Sequence, residues 1–365
     1  MTNRERIINT IIGEQTDRAP FFVWFSMKPW KETTERWLRE GLDRAEDWNR
    51  LSGFDPGVTE IDRNLLGMYP GYDEATLEER ESTLVIRDRL GVVKEVGKGY
   101  SSLPKYLEFP IKNRDDWEKM RAEQFDPDVS GRFAENWEKE LTAGDRREQY
   151  LQIGEYPYGL FGYLRELMGI ENFLLSCYEQ PELISVMMSD LADFWIEIYK
   201  RVLKKVRIDH IHMWEDMSGN HGSLMSPDMM REFMLPNYLK VAEFAKENSI
   251  PVFSVDTDGK VDKIIPVFIE AGMNLMWPFE VRAGNHVIGI RNEYPNLAIM
   301  GGIDKMALSL GKEAIDRELE KVSPLIGSRY IPGLDHAVPP EVSWENFLYY
   351  AERLREITCR AFGRR

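Results

Sequence analysis

The chain has 365 residues, 43% of them hydrophobic and 30% charged, which is enough for a substantial core beneath a well-solvated surface. A formal net charge of -15 argues against a nucleic-acid groove or an anionic membrane surface as the main partner, although a local basic pocket stays compatible with it. The charged start MTNRERIINTIIG lacks a secretion signal and no run of about 18 apolar residues occurs, so the chain reads as cytoplasmic and non-membrane.

Thr2 or Asn3 can cap a first helix with Ile7, Ile8, Ile11 and Ile12 as its apolar stripe. Arg18 to Phe25 then reads as a buried strand, closed by Lys28, Pro29 and Trp30. Residues 82–97 place two β-rich arms around the polar centre Asp88 to Gly91, the pattern of a hairpin inserted outside the core. From residue 150 the pattern becomes regular. Strands are expected at 150–153, 210–214, 251–255, 274–277, 297–300 and 329–331, with helical text between them and a last helix from about Ser343 to Ala361.

Short apolar strands alternating with longer helices indicate βα units and a parallel sheet. The best fit is one domain over residues 1–365, a (β/α)8 TIM barrel with an N-terminal helical extension and a β-hairpin insertion. Cys177 and Cys359 both lie in helix-like text and read as two buried, reduced thiols.

The residues just past each strand end carry the chemistry. Glu155 stands past the first of the regular strands, Glu215 and Asp216 past the second, and Asp256 with Asp258 past the third. Glu280, Asp304 and the pair Asp335–His336 stand past the rest. In a (β/α)8 barrel these positions form one ring at the C-terminal face, where such enzymes carry their sites. Helix capping alone accounts for Asp304 or Asp258, but poorly for Glu280 and His336. Converging carboxylates either bind a divalent cation or hold a proton on one member as a general acid. Asp256 and Asp258 share a direction on one strand end, and with Glu280 and His336 they resemble a mixed oxygen/nitrogen zinc site with an open position.

Trp24, Trp30, Tyr156, Tyr158, Tyr163, Trp214 and Trp277 all lie at or next to strand ends. At least half are expected in the core, and the rest would line a pocket for an aromatic ring or a quaternary ammonium. His210 and His212 share one strand face below the strand end, which favours a hydrogen-bonded interior role.

Several motifs together resemble the uroporphyrinogen decarboxylase-like proteins: Asp17 to Pro20 after the first helix, Gly154 with Gly159 to Tyr163, and Trp214 to Gly219 ahead of Ser226–Pro227. Gly301 to Asp304, and Asp335–His336 with Pro339, Pro340, Glu341 and Asn346, complete the pattern. The resemblance spans nearly the whole chain and implies a (β/α)8 barrel. True decarboxylases of that kind carry an arginine-rich segment after the first strand, whereas this chain has Ser26 to Trp30 there, without an arginine. An octa-anionic substrate is therefore disfavoured.

The other branch, the corrinoid- and coenzyme-M-linked methyltransferases, implies a metal centre. Asp256-Thr-Asp258-Gly259 resembles its first ligand motif, Glu280 the second and His336 the third, with harder ligands in place of both thiolates. The resemblance implies a methyltransferase moving a methyl group between a small donor (a methoxylated aromatic or methylammonium compound) and a corrinoid carried by a partner protein. Asp258, Glu280 and His336 would hold zinc as a Lewis acid. Glu215, Asp216, Tyr163 and Asp256 would serve catalysis, and Trp24, Tyr156, Trp214, Trp277 and Asp304 would bind substrate. A homodimer is compatible with this reading. The alternative is a metal-free, decarboxylase-like lyase acting on a carboxylate or tetrapyrrole.

Overall fold

The computed structural model describes residues 1–24, 27–98, 104–142 and 147–360. Its strands in chain order are β1 (Val58–Ile61), β2 (Ala75–Glu79), β3 (Thr83–Arg87), β4 (Val93–Gly97), β5 (Lys105–Glu108), β6 (Tyr150–Ile153) and β7 (His210–Trp214). They continue with β8 (Ser218–Gly219), β9 (Gly222–Ser223), β10 (Val252–Asp256), β11 (Leu275–Trp277), β12 (Ala298–Ile303) and β13 (Tyr330–Leu334). A seven-stranded sheet runs β1-β6-β7-β10-β11-β12-β13, every neighbouring pair parallel. Parallel neighbours need crossovers, and helices supply them: Leu160–Met168, Ile170–Glu179 and Pro181–Leu203 between β6 and β7, and Leu235–Glu247 between β7 and β10. The architecture is TIM-barrel-like.

Alternation along the strands sorts the core into two. Leu151, Ile153, Ile211, Met213, Phe253, Val255, Met276 and Ile299 face the helices. Tyr150, Val252, Leu275, Trp277, Ala298, Met300 and Ile331 pack together inside the curl of the sheet. The helix Asn3–Ile12 adds Ile7, Ile8 and Ile11 to this inner cluster. It begins with a Thr2–Glu5 capping box and ends at Gly13 in the left-handed region. Arg4 ties it to the buried Asp209 at 2.8 Å, and Asp209 in turn accepts the Leu151 N–H, so the helix closes the floor of the curl.

The strand expected at 18–25 does not form among the described residues; Phe25 and Ser26 lie outside them. Phe22 and Trp24 are nevertheless buried in the inner cluster. The Phe21 carbonyl accepts from the Asp55 amide rather than from a neighbouring strand, and Pro20 has no N–H to give a ladder. Among the described residues the parallel sheet therefore has seven strands, where the (β/α)8 reading expects eight. The sequence reading missed β1, and the inserted hairpin proves to be part of a four-stranded antiparallel sheet, β2-β3-β4-β5. Its centre, β3 and β4, pairs as the sequence indicates. The outer strands β2 and β5 are almost wholly exposed and lack the alternation that would have revealed them. Of the two cysteines only Cys177 is buried; Cys359 is exposed, a correction to the expected pair of buried thiols.

Candidate functional site

The carboxylates at the strand ends divide into two groups and a set of structural anchors. Asp258, Glu280 and His336 come together, each offering a ligand atom within 4.8 Å of the others. His336 Nε2 lies 3.2 Å from Asp258 Oδ2, and the hydrogen bond raises the imidazole above its ordinary range. Glu280 accepts the Gly259 N–H at 2.9 Å and pairs with Lys305 Nζ at 3.3 Å. Gly259 sits at φ +74, and a Cβ there would come within 2.5 Å of the Ser218 carbonyl, so only glycine brings that N–H to Glu280. Asn285 laces the same turn, donating to the carbonyls of Gly259 and Glu280. Asp335 accepts the amides of Val281 and Lys305, fixing the ends of β11 and β12 beside His336.

Deeper in the curl, Glu155, His212 and Asp256 form a second convergence, all three buried and again within 4.8 Å of one another. Gly154, at φ +98 with no room for a Cβ against the His212 carbonyl, turns the chain so that Glu155 points inward. Burial pushes the Glu155 carboxyl up to about 7 and holds Asp256 well above the usual carboxylate range, with Asp258 and Glu155 reinforcing the latter. The register of β7 on β10 sets His212 beside Ser254. The Ser254 hydroxyl bridges His210 Nε2 and His212 Nδ1, the latter at 2.9 Å, which is the interior hydrogen-bonded role expected of this pair. Sequence reasoning placed Asp256 in the site but missed Glu155 and His212 as its partners. The inward face of neighbouring strands was the only signal available.

The other expected residues lie elsewhere. Glu215 is buried beneath the helix Leu160–Met168, where its carboxylate accepts the amides of Leu160, Phe161 and Gly162 at 2.7–3.0 Å and the Tyr238 hydroxyl. Tyr163 is buried; its hydroxyl accepts the Met68 amide and its ring packs on Tyr158 and Phe125, away from both clusters. Asp216, at φ +37, is held by Arg165 at 2.9 Å, and burial with the nearby Asp258 charge raises it. Asp304 caps the turn at Lys305–Leu310 and pairs with Arg282, the capping role allowed for it.

The aromatic residues also separate by depth. Trp24 and Trp277 are buried with centroids 4.6 Å apart, in the interior rather than on an open wall. Tyr156 meets Trp214 edge-on at 4.6 Å, and Arg165 lies over the Trp214 ring at 4.9 Å. Tyr156 also borders a cavity of about 260 Å³ shared with Arg63, Tyr158 and Arg89, the last from the turn between β3 and β4.

Comparison with known proteins agrees with this architecture. A solved methyltransferase from Methanosarcina mazei superposes with a TM-score of 0.59 over 98% of this chain and 99% of that one, at 14% sequence identity, a likeness of fold. No curated protein matches the sequence. The family model for uroporphyrinogen decarboxylase (URO-D) matches residues 152–357, which include β7 to β13 and both clusters. The chain therefore belongs to the uroporphyrinogen decarboxylase family.

Proposed function

We propose that this chain is a methyltransferase that moves a methyl group between a small donor and a corrinoid carried by a partner protein. The observation that carries the reading is the convergence of Asp258, Glu280 and His336. One nitrogen and two carboxylate donors suit a zinc-class ion, and such an ion, when bound, supplies Lewis acidity toward the donor's heteroatom. The chain's own residues prepare that position. Gly259 and Lys305 orient Glu280, and Asp258 holds His336. Asp216, fixed by Arg165, adds a carboxylate at the rim.

Tyr156, exposed at the cavity it lines, offers its ring to a methoxylated ring or a methylammonium group. Arg63 and Arg89 beside Tyr156 favour a donor that also bears a carboxylate. A net charge of -15 and the acidic ring oppose a tetrapyrrole with many carboxylates, and the fold likeness to a methyltransferase points the same way.

The test incubates the purified chain with a cognate methyl-corrinoid protein and candidate methoxybenzoates or methylammonium compounds, following the corrinoid absorption spectrum. Demethylation or methylation of the corrinoid that is lost in His336→Ala and Glu280→Gln is expected. Absence of transfer with every candidate, together with absence of corrinoid-protein binding, would sink the reading. A second reading, a metal-free lyase acting on a carboxylate, is favoured by the family match itself. Release of carbon dioxide that survives exhaustive chelation would establish it instead.

A further inference from the structure

We propose that Glu155, His212 and Asp256 form a second, buried binding site for a divalent cation of the zinc class, beneath the Asp258–Glu280–His336 cluster. The inference rests on groups left without partners. Glu155 is 2% exposed and its Oε2 has no hydrogen-bond partner; His212 is 0% exposed and its Nε2 has none either. A buried acceptor or ring nitrogen without a partner costs about 1–3 kcal/mol, and an ion shared by Glu155 and His212, whose ligand atoms lie within 4.8 Å of each other, would offset that cost for both. Asp256 completes the convergence, its carboxylate within 4.8 Å of both.

The chemistry around His212 is that of a prepared ligand. A hydroxyl has one proton, so Ser254 donates to one of its two histidine partners and accepts from the other. When Ser254 donates to His210, His212 carries its proton on Nδ1 and its partnerless Nε2 keeps a lone pair for an ion. Metal-binding histidines are commonly held in this way through the second ring nitrogen. Trp277 fixes the ring plane by stacking at 4.2 Å. Two carboxylates and a neutral imidazole neutralise a divalent charge, and the imidazole favours zinc and its neighbours over magnesium or calcium.

The outer cluster differs in kind. His336 there is hydrogen-bonded to Asp258 and Glu280 is paired with Lys305, whereas the inner Glu155 Oε2 and His212 Nε2 have no partner. The two clusters meet through β10, Asp256 serving the inner one and Asp258 the outer.

The experiment loads the intact chain with zinc, removes unbound ion by gel filtration, and measures zinc per chain by elemental analysis. About two equivalents are expected for the wild type. Glu155→Gln and His212→Gln should each lose one equivalent, and His336→Ala the other. Zinc that is unchanged in both inner variants, or absent from the wild type, overturns the inner site. Zinc lost in the inner variants but not in His336→Ala supports the inner site and overturns the outer one, which separates this inference from the function proposed above. Should the variants fail to fold, anomalous scattering at the zinc edge from wild-type crystals decides. An ion about 2 Å from His212 Nε2 and flanked by Glu155 and Asp256 supports the site, and zinc confined elsewhere refutes it.

Discussion

His212 lies flat against Trp277, with ring centroids 4.2 Å apart and planes 18° from parallel. Trp277 also touches Trp24 at 4.6 Å, so one indole joins the floor of the curl to the inner cluster. Trp277→Ala is therefore expected to lower unfolding free energy by about 3–5 kcal/mol, while Trp277→Phe, which keeps a ring, should lose distinctly less. Urea unfolding of the three proteins checks this, and equal stability for Ala and wild type would contradict the packing described.

Glu215 serves the fold through the helix Leu160–Met168, whose first amides it accepts. Glu215→Ala leaves those N–H groups and the Tyr238 hydroxyl buried without an acceptor, at roughly 1–3 kcal/mol each before relaxation. The variant is expected to be strongly destabilised or insoluble. A variant with wild-type unfolding behaviour and abolished turnover would instead assign Glu215 to catalysis.

The N-terminal helix carries an acid-sensitive tie. The Arg6 guanidinium holds the Asp17 carboxyl below its ordinary value of 3.8. The native value is the lower one, so the unfolded chain takes up this proton first. The stabilisation is complete above the ordinary value, fades as pH falls toward the native value, and is gone below it. The stability gap between wild type and Asp17→Asn should thus narrow as pH falls below about 5. A gap that widens with acid would reverse the assignment.

Thiol labelling separates the two cysteines. Cys359 is exposed, whereas Cys177 is buried and its thiol is pushed up to about 11 by desolvation. One rapid equivalent of reagent per native chain is expected, lost in Cys359→Ser, with the second appearing only on unfolding. Two rapid equivalents would mean that the helix Ile170–Glu179 opens readily.

Strands β6 and β7 were legible to the residue because Tyr150 to Ile153 and His210 to Trp214 are short apolar runs between helical text. β1 was not, since Val58 to Ile61 carries a threonine and a glutamate and comes after the turn-rich Phe54 to Gly57. The acidic ring was legible from the carboxylates just past each strand, and so were the members of the outer cluster. Its division into two depths was not. Whether Glu155 meets His212 depends on the register Gln152↔His210 and Ser254↔His212, set by pairing between segments far apart in the chain. Glu215 misled for a similar reason. Its neighbour Asp216 reaches the rim, but one residue earlier the side chain points under a helix whose position only the folded chain defines.

The helix Asn3–Ile12 has a kinetic consequence. With Ile7, Ile8 and Ile11 packed under the strand ends, an approach to the inner cluster from that side would have to displace the helix, whereas the strand-end side carries Asp258, Glu280 and His336. A chelator acting on loaded protein would then remove ion from the half-buried outer residues faster than from the buried inner ones.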